Sequence, residues 1–88
     1  MPRAESYSFM LEAVDQELDK AVEAWPEGAN SAHEAFGVLH EEFDELKAHV
    51  WTKQKNRDLI AMRKEAIQVA AMAIRFAAEV CTEERGRR

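Results

Sequence analysis

Apolar positions recur along this chain at gaps of three and four residues, the spacing that gathers side chains on one face of an α-helix. Tyr7, Met10, Leu11, Val14, Leu18, Val22 and Trp25 form a first stripe, flanked by Glu12, Asp15, Asp19, Lys20 and Glu23. This predicts a helix over about 4–25, stopped by Pro26. Residues 26–30 (PEGAN) read as a turn. Ser31 with Glu34 three places on is a capping box, in which each side chain satisfies a free N–H at a helix start, so a second helix is expected over 32–51. Within it Phe36, Leu39, Phe43, Leu46 and Val50 make a seam of the kind that packs between helices, with Phe43 at its centre. The stretch 52–56 (TKQKN) has no apolar anchor and reads as a loop, with Asn56 as N-cap of a third helix over about 57–82. Residues 83–88 read as a frayed tail. No strand pattern occurs, so the expected fold is all-α, in one domain spanning 1–88.

The third helix is apolar nearly all round. Between Ala66 and Cys81 only Gln68, Arg75 and Glu79 are polar, and at about 100° per residue they share one narrow strip with Glu65 beside it. Two further helices from so short a chain cover little of such a surface. The expected assembly is therefore a three-helix protomer that completes a four-helix-type bundle by homo-oligomerisation, as a homodimer or homotetramer, with Ala66, Ala70, Ala71, Ala73, Ala77 and Ala78 permitting close approach.

Length and charge narrow the classes of function. At 88 residues there is room for one domain; the longest apolar run, Val69 to Ile74, is far short of a membrane span. The first residues lack the apolar core of a secretory signal and the lone Cys81 cannot pair internally, so the cytoplasm is the expected location and Cys81 a packing residue. Residues 1–50 hold twelve acids against three bases, and residues 51–88 nine bases against five acids, giving −9 and +4 and the net −5. Such a balance argues against duplex nucleic acid as a partner. It leaves a small phosphate ligand open.

The candidate chemistry lies in helix two, where Glu41, Glu42, Asp44 and Glu45 crowd like charges together at a cost in stability. Measured from Phe43, Glu42 lies about 100° and Glu45 about 160° round the same flank, shared by Val38 and His49. Helix three offers Glu65 and Gln68 on its polar strip. Where these flanks meet, oxygen ligands from two helices converge, which suits Mg²⁺ or Mn²⁺ better than Zn²⁺. A solvated acidic face, with Glu65 and Gln68 in a core polar network, is the alternative. His40-Glu41 suggests a zinc-protease HExxH, but Asp44 holds the second His position.

Glu41-Glu42-Phe43-Asp44-Glu45 resembles the EExxE motif of the MazG-like, all-α nucleoside triphosphate pyrophosphohydrolases, and Glu65 stands at the interval where that family's ExxD motif begins. The resemblance covers roughly residues 32–82. It implies that Glu42, Glu45 and Glu65 are Mg²⁺ ligands, that Glu41 partners the attacking water, and that the reaction splits a (d)NTP into (d)NMP and pyrophosphate, as in the clearance of noncanonical nucleotides. Gln68 departs from it, standing where the family has Asp; an amide oxygen can ligate Mg²⁺ but brings no charge and no base. For the triphosphate, Lys53, Lys55, Arg57, Arg63 and Lys64 supply positive charge, Trp51 a face for stacking on a base, and His49 a hydrogen bond or a further metal ligand. The rival expectation, favoured by Gln68, is a non-catalytic helical module that binds a nucleotide, a metal or a protein partner.

Overall fold

The computed structural model describes residues 4–88 and is all-helical, with no strand among them. Helix α1 runs Glu5–Ala24, α2 Ala32–Val50 and α3 Leu59–Arg75; a π-helical turn, Phe76–Val80, continues α3, and a short α4 spans Glu83–Gly86. No helix among the described residues is long and apolar enough to cross a membrane. Helix α3 is central: α1 packs on one side of it and α2 on another.

Local sequence explains most of the boundaries. At the start of α2, Ser31 Oγ accepts from Glu34 N–H at 3.2 Å, as a capping box requires, but the Glu34 carboxylate accepts from Asn30 N–H (3.4 Å), one residue earlier than expected. The cap of α3 is Asp58, whose Oδ1 accepts from Ala61 N–H at 3.1 Å, and not Asn56, which is taken up in a 3₁₀ turn, Gln54–Asn56. A carboxylate at this position also complements the positive end of the helix dipole.

The expected continuous helix to residue 82 is corrected at its end. Cys81 N–H bonds the Phe76 carbonyl five residues back (3.3 Å), so the last turn is one residue too wide and swings the chain beyond it round the helix axis. Val80 is thereby buried, while Cys81 is exposed rather than packed. Thr82 Oγ1 then accepts from Arg85 N–H (3.0 Å), and the expected frayed tail is instead the capped α4, with Arg88 reaching back to the Asn30 carbonyl (3.3 Å).

Arg75 ties α3 to α1. Its side chain, only 4% exposed, donates to the carbonyls of Ala21 (3.1 Å) and Trp25 (2.8 Å), the open end of α1, and to both oxygens of Glu79 (2.6 and 2.8 Å). The guanidinium also lies 5.4 Å from the centre of the Trp25 ring. Gly28 completes this corner. Its φ is +64°, and a Cβ there would run into the Glu79 carboxylate.

The seam of α2 is rotated from its expected orientation. Leu39 and Leu46 are half-buried, but Phe36, Phe43 and Val50 stay 58%, 53% and 37% exposed, so Phe43 is not the centre of the buried face. In α1 the outer edge of the stripe, Tyr7, Leu11 and Val22, is likewise exposed. A single neighbouring helix covers only one edge of each stripe.

Candidate metal centre

The rotation of α2 brings its acidic flank beside α3. Glu42 is half-buried against that helix and Glu45 lies on the exposed rim. From α3, Glu65 points back, and one oxygen each of Glu42, Glu45 and Glu65 lies within 4.8 Å of the other two. Gln68, one turn along α3, lies against two of them: one end of its side-chain amide is 2.9 Å from Glu42 Oε2 and 3.2 Å from Glu65 Oε2. Where both carboxylates are ionised they only accept, and the NH₂ is assigned to that end of the amide; a protonated Glu42 would take the amide oxygen instead.

Electrostatics follow from this crowding. Burial, reinforced by the charges of Glu45 and Glu65, pushes the Glu42 carboxyl from 4.5 up to about 7. Glu65 is also raised, first by burial and then by its hydrogen bond to Glu45 and that group's charge, while the bond to Glu42 and the charge of His49 partly oppose the rise. The site thus resists holding several negative charges alone. Either a proton or a hard cation would relieve this crowding, and carboxylates with an amide oxygen are donors of the kind that Mg²⁺ and Mn²⁺ take.

The other candidate residues scatter. Glu41, exposed, lies one turn before Glu45 on the same rim, outside the three-carboxylate cluster. His49 is half-buried on the cluster's flank. Arg57 is engaged elsewhere: its guanidinium closes the end of α2 by donating to the Val50 carbonyl at 2.6 and 3.2 Å. Trp51 is 75% exposed, with Lys47 Nζ 5.6 Å from the ring centre. Lys53 and Lys55 are exposed in the connection between α2 and α3. Lys64 and Arg63 line a groove between α3 and α1 together with Lys20, a polar flank residue of the first stripe to which spacing alone assigns no role.

Spacing likewise passes over Glu17. It is half-buried on α1 and lines a cleft with Ala21 of the same helix, Glu42 of α2 and Gln68, Ala71 and Met72 of α3. The signal is present in Ala13-x₃-Glu17-x₃-Ala21, where an acid sits between two small residues on one half-buried face of α1. Glu17 also borders the Lys20–Arg63–Lys64 groove, so one carboxylate joins the acidic cleft to the basic one.

Compared with family models, with curated proteins and with solved structures, the chain matches none at a significant level.

Proposed function

We propose that the chain is a Mg²⁺- or Mn²⁺-dependent nucleotide pyrophosphohydrolase of the MazG-like type, acting on a noncanonical or surplus (d)NTP and working as a homo-oligomeric helical bundle. The observation that supports this most is the convergence of Glu42, Glu45 and Glu65 from two helices, with Gln68 beside them. Glu42, Glu45, Glu65 and the Gln68 amide oxygen would hold the cation. When bound it neutralises phosphate charge and lowers the pKa of water.

The remaining work falls to the chain's own side chains. In the overall reaction water adds to the α-phosphorus, the bond from that atom to the α,β-bridging oxygen breaks, and pyrophosphate leaves with the electron pair. Glu41, on the open rim, accepts the proton of the attacking water. Lys64, with Arg63 and Lys20 in the adjoining groove, holds the outer phosphates, Lys53 adds positive charge, and His49 donates a hydrogen bond. The open face of Trp51 stacks on the base. Arg57 acts at a distance, since its guanidinium is spent on the α2 terminus.

A second reading has its own observation. With its NH₂ turned to the carboxylates, Gln68 is within bonding distance of both Glu42 and Glu65, which is the behaviour of a polar network in a non-catalytic helical module. A pyrophosphate-release assay over the common and noncanonical (d)NTPs, with Mg²⁺ and Mn²⁺, separates the two. The enzyme reading expects release from at least one nucleotide and a loss of about 100-fold or more in Glu42→Gln and Glu65→Gln. No release from any of them, with the chain folded, overturns it in favour of the module.

A further inference from the structure

Of the residues that line the acidic cleft and the basic groove, Glu17 alone lines both. Ala13, Glu17 and Lys20 recur on one face of α1, and that face meets Arg63 and Lys64 of α3 across an open groove of about 290 Å³. Among the described residues none of Lys20, Arg63 and Lys64 is taken up in an ion pair. Their charge is available to an anion. The cleft on the other side of Glu17 is smaller, about 160 Å³, and the charged side chains that line it, Glu17 and Glu42, are both acids. Along α3 the step between the two is short, since Lys64 in the groove and Gln68 in the cleft are one turn apart. A ligand that spans both crosses from positive to negative surroundings beside the Glu17 carboxylate.

We propose that Glu17 is a positioning residue that sets the register of a triphosphate, and with it the bond that breaks. At neutral pH a terminal phosphate carries about two negative charges and an internal one about one. A carboxylate at the junction repels the doubly charged end of the chain more than its singly charged middle, while the three cations draw that end into the groove. Both effects favour one arrangement: the γ-phosphate deep in the groove, the β-phosphate at its inner end, and the α-phosphate in the cleft with Glu42 and Gln68. Water then reaches the α-phosphorus, and pyrophosphate is released. In the slipped arrangement the γ-phosphate lies against Glu17 and the β-phosphate enters the cleft. Water would then add to the β-phosphorus, the bond from that atom to the β,γ-bridging oxygen would break, and orthophosphate would leave with the electron pair. With the water's proton passing to Glu41, the products would be (d)NDP and orthophosphate. Glu17 makes this second arrangement costly.

The choice of bond rests on the proposed pyrophosphohydrolase activity. The hold of the groove on a phosphate chain does not depend on it.

The test has two arms. In the first, the products of each (d)NTP cleaved with Mg²⁺ are separated and counted for the wild type, Glu17→Gln and Glu17→Asp, with circular dichroism to show that each is folded. The wild type should give pyrophosphate and (d)NMP, and Glu17→Gln should raise orthophosphate release about 10-fold relative to pyrophosphate release. Glu17→Asp, which keeps the charge, should retain the wild-type ratio. A ratio that shifts as far in Glu17→Asp as in Glu17→Gln overturns the role of charge; one that shifts in neither overturns the register and leaves the pyrophosphohydrolase standing. In the second arm the metal-free chain is titrated with pyrophosphate and with tripolyphosphate by calorimetry. Lys20→Gln, on the exposed wall of the groove, should weaken pyrophosphate about 10-fold, the loss of one charge-assisted hydrogen bond. Glu17→Gln should strengthen tripolyphosphate, the chain long enough to pass the junction, about 10-fold, and pyrophosphate by about 3-fold at most. If no nucleotide is cleaved, the pyrophosphohydrolase and the choice of bond both fall, and the titrations decide the groove on their own. No pyrophosphate binding, or equal gains for the two chains in Glu17→Gln, overturns the divided site as well.

Discussion

Two polar clusters lie along one strip of α3, at Glu65–Gln68 and at Arg75–Glu79, and they are solved in opposite ways. At Arg75 a buried charge meets a carboxylate, two helix-end carbonyls and an aromatic face, so its donors are matched to acceptors. At Glu42 and Glu65 like charges meet each other, with only a neutral amide between them. The first cluster is complete in itself and serves as a clamp between α1 and α3. The second is short of positive charge. Burial alone therefore does not mark a functional residue; the balance of the surrounding charge does.

Breaking the complete cluster should have the largest effect. Arg75→Ala leaves Glu79 uncompensated and two carbonyls unpaired in a half-buried corner, a loss of about 3–5 kcal/mol that urea denaturation at fixed protein concentration can measure. Completing the incomplete cluster comes next. Mg²⁺ or Mn²⁺ at 100 times its dissociation constant should raise stability by about 2.7 kcal/mol, seen as a higher Tm that Glu42→Gln with Glu45→Gln abolishes. Gly28→Ala, which forces a side chain into left-handed backbone and against Glu79, should cost about 1–2 kcal/mol by the same denaturation.

The smallest effect is a pH slope without metal. Glu42 holds its proton more tightly when folded, so the folded chain binds more protons than the unfolded one between about 4.5 and about 7, and stability should fall as pH rises through that window. Melting curves across it should show the decline, and Glu42→Gln should flatten it. Solvent screening at a half-exposed site keeps the slope small.

How far the sequence discloses this contrast differs between the clusters. Helix positions are legible from the three-and-four spacing, and the Ser31 cap from its own residues, because both are local. The meeting of Glu42, Glu45 and Glu65 is legible as well, since two flanks of known spacing need only one helix contact to join. Arg75 looks from its spacing like part of a wet strip, because its partners, Ala21 and Trp25, are backbone carbonyls at least fifty residues earlier, and carbonyls leave no mark on a sequence. Phe43 looks like a core residue because an apolar stripe reports that it needs cover, not which edge a neighbour reaches first. The wide turn at Phe76–Val80 has no local signal, as its residues are ordinary in helices.

Gln68 has a consequence for the order of assembly. An aspartate at that position would confront Glu42 and Glu65 with another negative charge, and folding of the cleft would then wait on a supply of cations. An amide is ambivalent: half a turn about its last bond exchanges an NH₂ for an oxygen at nearly the same point in space. With the donor inward it reaches both Glu42 and Glu65 and holds the two carboxylates together. Under the proposed metal reading, the chain would thus finish folding first and receive the cation afterwards, at the cost of the two hydrogen bonds that the exchange breaks.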